Sequence, residues 1–302
     1  MTSADRTGKP VRGVAPLVEI TEFTDPFCSW AWGTEPKLRR LKLALGGQAR
    51  WRKVIGILYD GPQGGDSDPA SIVAQYERWG EVMGHTGAPT PARLERVAGS
   101  SRAAAAAVKA AELQAADLGE LVLRRLRESL FIAGLPVEDE QELARALGSI
   151  PGLDLYALLI AWRSSRVGEA VESDWEETRN PVPEVVGLSE PLPHPGAAAP
   201  DGDRLRYRFP TLIATGAGGR AVVPGWRPYE AYEAAVLQVA PAVSLADTAW
   251  SAESLLDEFE TVTDVDLEEL VGSTSAPRGA TRLITRTGSA WTRSDSPSSG
   301  PS

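Results

Sequence analysis

The stretch Asp25–Pro36, DPFCSWAWGTEP, contains the chain's single cysteine, Cys28, and its neighbours on both sides have clear patterns. Before it, residues 17–23 (LVEITEF) alternate in polarity, as a half-buried β-strand does. After it, residues 37–45 (KLRRLKLAL) have the apolar spacing of a helix, and residues 51–59 (WRKVIGILY) have the composition of a second strand. The sequence therefore predicts a βαβ unit with a right-handed crossover and with Cys28 at the first strand-to-helix junction.

A cysteine at the start of a helix has a specific electrostatic setting. The first helical turn presents unpaired N–H groups and the positive end of the helix dipole, and both stabilise a thiolate. Such positions lower a thiol pKa to roughly 3.5–7.5 in favourable cases. We therefore expect Cys28 to be activated. The alternative is that a lone cysteine serves only as a small buried apolar residue.

The rest of the chain divides into a helical block, a loop and a second α/β segment. Residues 71–179 have helical patterns almost throughout, and residues 180–201 are a proline-rich loop. Residues 205–224 then predict a strand and a hairpin through Gly216–Gly219, and residues 229–239 predict a closing helix. This order indicates one α/β domain interrupted by an all-helical one.

Composition excludes several classes of protein. The chain has 302 residues and a formal net charge of −10, which argues against a nucleic-acid or anionic-membrane surface. No secretory leader or 18-residue apolar stretch is visible in the sequence. One cysteine cannot form an internal disulfide, and with two histidines it makes a poor metal-ligand set. These features predict a cytoplasmic protein without a structural metal.

Two motifs carry a resemblance to a known family. The segment DPFCSWAWGTEP resembles the active-site segment of DsbA-like proteins of the thioredoxin superfamily, in the branch of the FrnE-type oxidoreductases and the ClpXP-adaptor relatives. Residues 209–212, FPTL, resemble the superfamily's cis-proline loop. The resemblance implies an α/β thioredoxin-like fold with an inserted all-helical domain. It assigns residues 16–66 and 203–240 to the thioredoxin-like domain, 67–202 to the helical insertion, and 241–302 to an acidic C-terminal extension with a disordered tail.

The resemblance also implies a site. It makes Cys28 and a cis Pro210 the catalytic pair, and its substrate-binding residues are Ser29, Trp30, Ala31, Phe209 and Thr211. Ala31 departs from the pattern, because the family has its resolving cysteine there. The implied activity is monothiol exchange: Cys28 forms mixed disulfides with a protein or small-molecule substrate, and a low-molecular-weight thiol such as glutathione or mycothiol resolves them. No tightly bound cofactor is expected.

Two alternatives stay open. A non-catalytic adaptor or binding protein on a DsbA-like fold has a candidate surface in residues 253–269, which contain eight acids and no base, although a solvated helical face is the simpler interpretation. A kappa-type glutathione transferase or isomerase uses a serine near the start of the same helix, and Ser29 is adjacent to that position.

Several other residues are candidates for the surroundings of the thiol. Trp79 and Trp226 are expected near its groove, and Asp25 as a helix N-cap. His85 is interpreted as a surface-loop residue, with proton acceptance from Cys28 as the alternative.

Overall fold

The structure is a computed structural model that describes residues 15–62, 64–189, 193–247 and 250–294. Its first unit is β1 (Val18–Thr24), α1 (Ser29–Leu45) and β2 (Ala49–Ile55), with β1 and β2 parallel. The predicted βαβ unit is therefore confirmed. Helix α1 begins eight residues earlier than the periodicity indicated, because Pro36 lies inside the helix, where a proline is normally a terminator.

The helical block contains more breaks than the sequence pattern predicted. Its helices are α2 (Pro69–Thr86), α3 (Arg102–Glu112), α4 (Ala116–Phe131), α5 (Glu140–Leu147), α6 (Leu155–Trp162) and α7 (Ser165–Thr178). The alanine-rich run at residues 102–131, whose pattern is helical throughout, is split between α3 and α4. The small alanines of α3 are buried, so that neighbouring helices can pack closely against it.

The second α/β segment completes the sheet. A short hairpin, β4 (Ala199–Asp201) and β5 (Arg204–Arg206), precedes β6 (Thr211–Gly216), β7 (Gly219–Pro224) and α8 (Tyr229–Val239). The four-stranded sheet has the order β2-β1-β6-β7, in which β6 runs antiparallel to β1 and to β7. The thioredoxin-like expectation is met, since β6 brings its first residue, Thr211, beside Phe23 at the end of β1 that leads to Cys28.

The C-terminal extension is folded over the residues described. It contains α9 (Ala252–Phe259), β8 (Thr261–Thr263), α10 (Asp264–Val271), β9 (Ala280–Leu283), β10 (Thr285–Thr287) and β11 (Ala290–Arg293). The order β8-β11-β9 forms a small sheet, while β10 pairs with β3 (Thr90–Pro91), which follows α2. The helical interpretation of residues 253–269 is confirmed by α9 and α10, while the strands were not predicted. The predicted disordered tail, residues 295–302, lies outside the described residues.

A buried ion-pair network attaches this extension to the thioredoxin-like body. Asp266 is fully buried and pairs with Arg39 of α1 at 2.7 Å and with Arg124 of α4 at 2.9 Å. Burial alone would raise the pKa of Asp266, but Arg124 and Arg39 outweigh it and hold the pKa below its ordinary value. The prediction of a solvated acidic face therefore applies to exposed acids such as Glu268 and is wrong for Asp266.

Among the helices described, none is long and apolar enough to cross a membrane. In the same residues, no group of three or more histidine, cysteine, aspartate or glutamate side chains has an arrangement that could hold a metal ion.

Candidate active site around Cys28

Cys28 is the N-cap residue of α1 and lies beside the cis peptide bond between Phe209 and Pro210. Its Sγ donates a hydrogen bond to the Phe209 carbonyl oxygen at 3.4 Å. The predicted pair of Cys28 and a cis Pro210 is therefore present. The sheet explains their proximity, because β1 leads into Cys28, and the adjacent β6 begins directly after Pro210.

The predicted binding residues follow from the same two segments. Ser29, Trp30 and Ala31 form the first turn of α1, and Ala31 is buried in the hydrophobic cluster that contains Cys28. Thr211 is buried, and its hydroxyl donates to the Arg208 carbonyl oxygen at 2.7 Å.

The pKa of the Cys28 thiol is raised, not lowered as its place at the helix start predicts. Cys28 is only 5% exposed, and burial raises its pKa to about 11. The backbone N–H groups of Ala31 and Trp30 lower the pKa, as the helix start predicts, and the charge of Asp25 raises it. The expected lowering is therefore wrong, because the loss of solvation of a thiolate outweighs the helix N–H groups. At rest Cys28 is a protonated thiol.

Side chains from α1 and from the segment after α7 pack around the thiol's hydrophobic cluster. Trp30 is half-buried and packs on this cluster, and the His194 ring lies perpendicular to the Trp30 ring with centroids 5.1 Å apart. Residues 193–198, here called the cover loop, bring His194 to this position, and Ala198 at the end of the loop packs on the cluster containing Cys28. Val185 of the same cluster accepts a hydrogen bond from the Ala198 N–H at 2.7 Å. Residues on both sides of this loop thus pack on the hydrophobic cluster that contains the cysteine.

His194 is fixed in a neutral state. It is 3% exposed, its Nδ1 accepts the Gly196 N–H at 3.1 Å, and its imidazole lies beside the backbone of Phe209, which by itself raises its pKa. Burial, with Arg227 and Arg208 nearby, lowers its pKa to about 4. Since Nδ1 is an acceptor, the ring proton lies on Nε2. The group that the resemblance assigns to substrate recognition, the backbone before Pro210, is therefore contacted by the chain's own histidine.

Gly225 makes this placement of His194 sterically possible. Its φ is +77°, and an ideal Cβ built there would lie 2.1 Å from Nδ1 of His194. Arg227, two residues later, donates to the His194 carbonyl oxygen at 2.8 Å.

A buried carboxyl group lies behind the thiol. Asp25 has no exposed surface and accepts hydrogen bonds from the N–H groups of Phe27 and Leu58 and from the Ser101 hydroxyl. Burial raises its pKa to about 6 in spite of these bonds. The predicted N-cap role is wrong, since Cys28 occupies the N-cap position and Asp25 caps the turn before it.

Behind Asp25, Arg127 supplies a buried positive charge. It is 1% exposed, pairs with Glu35 at 2.7 Å and donates to Thr24 Oγ1 at 2.6 Å. Its charge lowers the pKa of both Cys28 and Asp25, although by less than burial raises them. Glu35 also pairs with Arg39 and Arg124, so the site is connected to the network around Asp266.

The family model described as thioredoxin matches residues 22–181, which is more than half of the chain and includes the cysteine segment. The chain belongs to the thioredoxin family.

The sequence relatives that match this thioredoxin-family chain are named ClpXP adapter protein SpxH. The protein from Shouchella clausii is 30% identical over 164 residues, which cover 53% of each protein. The protein from Bacillus subtilis is 28% identical over 161 residues, or 52% of each. The chain therefore spans about half the length of the curated relatives it matches.

Solved structures with the same fold are DsbA-like. A putative protein disulfide isomerase from Nitrosomonas europaea superposes with a TM-score of 0.56 at 15% identity, covering 72% of this chain and 95% of that one. The cytosolic disulfide reductase DsbM from Pseudomonas aeruginosa has a TM-score of 0.51 at 18% identity, covering 73% and 93%. These similarities show a DsbA-like thioredoxin fold with a helical insertion.

Within this thioredoxin-family site, the structure also places the aromatic candidates. Trp226 contacts Trp30, with ring centroids 6.2 Å apart. Trp79 does not lie near the groove as expected, because it is buried in the helical core against Phe131. His85 lies in the last turn of α2 rather than in a loop, is exposed, and stacks on Trp30 at 6.2 Å.

Sequence reasoning missed His194, Arg127 and the burial of Asp25. A single histidine in a proline-rich loop has no spacing that relates it to Cys28, and Arg127 is one of several arginines in α4. The one available indication was the HPG sequence at residues 194–196, in which glycine permits a sharp turn.

Proposed function

We propose that this chain is an adaptor-type protein of the thioredoxin family that binds protein partners and whose cysteine is covered at rest. The observation that carries the proposal is the state of Cys28, which is buried, protonated and without a resolving cysteine at Ala31. Dithiol exchange needs an accessible thiolate and a second thiol. The resting site offers neither.

The relatives support the same proposal. The SpxH proteins are named as ClpXP adapters, and their similarity to this chain covers about half of each protein. The extension adds a folded surface next to α1 and α4, on which exposed acids such as Glu258 and Glu268 suit a basic segment of a partner protein. ClpXP, or a protein delivered to it, is the partner that this proposal implies. A cytoplasmic location is part of the proposal, as for the relatives named as cytosolic or as ClpXP adapters.

The test separates binding from thiol chemistry. The full chain and Cys28→Ala are assayed for glutathione-dependent reduction of hydroxyethyl disulfide, and both are used to capture partners in cells of the source organism that carry a proteolytically inactive ClpP. We expect no turnover above background and the same captured protein with both variants, at a level that rises when ClpP is inactive. Turnover that Cys28→Ala abolishes, or capture that is lost with it, would refute the adaptor proposal.

A second candidate is monothiol exchange after the site opens. It is favoured by the position of Cys28 beside the cis Pro210 and by the helix N–H groups of Trp30 and Ala31, which would stabilise a thiolate once water reaches it. The Cys28 thiolate would attack a mixed disulfide, form its own mixed disulfide and release the substrate as a thiolate. A second molecule of glutathione or mycothiol would then attack that bond, giving the oxidised small thiol and restoring the Cys28 thiolate.

A further inference from the structure

An open cavity of about 340 Å³ lies between α2 and the C-terminal extension. It is separate from the cysteine site and is formed by helix α2 and strand β3 together with strand β10 of the C-terminal extension. Helix α2 contributes Val73, Tyr76, Glu77 and Gly80, and the strands β3 and β10 contribute Thr90, Arg286 and Thr287. This volume lies at the lower end of the range for small-molecule pockets.

The walls of the cavity are held in place by hydrogen bonds. Strand β10 pairs with β3, placing Thr287 opposite Thr90, and the two hydroxyl groups are 2.8 Å apart. The Tyr76 hydroxyl donates to the Pro91 carbonyl oxygen at 3.1 Å, which fixes the ring that forms one wall. The shape is therefore defined before a ligand enters.

Two opposite charges line the cavity without pairing with each other. The Arg286 guanidinium lies over the Tyr76 ring, 4.4 Å from its centroid. Glu77, one residue after Tyr76, is exposed at the same cavity. Within the described ranges, neither side chain has an oppositely charged partner within the 4.0 Å of an ion pair. A ligand that carries both charges would complement both residues at once.

Apart from the two charged residues, the α2 side of the cavity is largely apolar and leaves room for a ligand side chain. Val73 is 56% exposed despite being a valine, and Tyr76 is half-buried. Gly80 has no atom within 4 Å of the position its Cβ would take, so a side chain there would meet open space. An apolar side chain of a ligand could be buried against these residues.

We propose that this cavity binds a small zwitterion with an apolar side chain, the chemistry of a free apolar amino acid. Its carboxylate pairs with Arg286, for which the fork of N–H donors is suited to two oxygens. Its ammonium group pairs with Glu77, and its side chain packs on Tyr76, Val73 and the open face at Gly80. This site is independent of Cys28 and of the function proposed above.

The test is an NMR titration of the full chain with L-phenylalanine as the probe. Two analogues each lack one charge: 3-phenylpropionate has no amine, and 2-phenylethylamine has no carboxylate. We expect amide shifts centred on Tyr76, Gly80, Thr90 and Thr287, and affinity at least tenfold lower for either analogue. Equal affinity for an analogue, shifts centred elsewhere, or no shifts at about 10 mM phenylalanine, where a millimolar site would be mostly filled, overturns the proposal.

Matched variants locate the charges. Arg286→Gln and Glu77→Gln should each weaken phenylalanine binding about tenfold. Arg282→Gln, on the same extension but over Trp291, and Glu81→Gln, one turn further along α2, should leave it unchanged. A Gly80→Leu variant should block binding while keeping the thermal midpoint, since leucine favours a helix and meets open space. Binding that survives Arg286→Gln or Gly80→Leu would contradict the assignment.

Discussion

Substitution of Gly225 gives the sharpest test of the cover over Cys28. In Gly225→Ala the new methyl group would lie 2.1 Å from His194 Nδ1, so His194 must leave its position on Trp30. Displacing His194 opens the cover loop and lets water reach the thiol. We expect the Cys28 thiol to react faster with iodoacetamide as a result, because the thiolate is the reactive form.

The magnitude follows from the pKa. The buried thiol has a pKa of about 11, against 9.0 for an unperturbed one. At pH 8 the thiolate fraction is then about 0.1% in the closed site and about 10% in a fully hydrated one, a ratio of about 100. This difference corresponds to about 2.7 kcal/mol. A partly opened site should give an increase between roughly tenfold and 100-fold.

Gly219→Ala is the matched control. Gly219 also has a positive φ, +105°, but its Cβ would meet no atom within 4 Å. Both variants therefore carry the backbone strain of an L-residue in the left-handed region, about 1–2 kcal/mol, and only one of them moves His194. Both should stay folded, since a domain has roughly 5–15 kcal/mol of stability.

The assay is the second-order alkylation rate at pH 8, followed by mass spectrometry, with the urea-unfolded chain as the reference for a free thiol. The native chain should react at least about 100-fold more slowly than the unfolded one. If the native and unfolded rates agree, the thiol is not buried. If Gly225→Ala and Gly219→Ala react equally fast, His194 does not control access and the reasoning about the cover loop fails.

Three further predictions concern the surroundings of the thiol. Ala31→Cys should form an internal disulfide with Cys28 on oxidation, because the two positions lie one helical turn apart; free thiols after treatment with oxidised glutathione would count against it. Asp266→Asn should lower the free energy of unfolding by about 1–3 kcal/mol in urea titrations, since it removes a buried carboxylate that Arg39 and Arg124 share and leaves them only Glu35 and Glu128. The exposed Glu268→Gln should change it by less than about 0.5 kcal/mol. The carboxyl carbon of Asp25 should titrate near pH 6 by NMR, because its folded pKa is raised from 3.8. The contribution of Asp25 to stability should therefore be greatest below pH 3.8 and be lost as the pH rises towards 6. A midpoint near 3.8 would show that the carboxyl group is hydrated.

The sequence by itself determined the fold and the position of the thiol. Strand and helix periodicity around Cys28 predicted the βαβ unit, and the resemblance of residues 209–212 to a family motif implied the cis-proline loop. The absence of a second cysteine at Ala31 also limits the chemistry without any structure. These features depend on neighbours within a few residues along the chain, which a linear pattern records.

Only the tertiary structure decided whether the thiol is active. The helix start at Cys28 favours a thiolate, but the pKa depends on how much water remains. That is set by the hydrophobic cluster around the thiol, whose members Val185, Ala198 and Phe209 are far from Cys28 in sequence. The same holds for Asp266, whose burial depends on arginines of α1 and α4 rather than on its acidic neighbours. Desolvation is a property of packed three-dimensional surroundings, so an acidic or nucleophilic residue can be located from the sequence, while its protonation state follows from the fold.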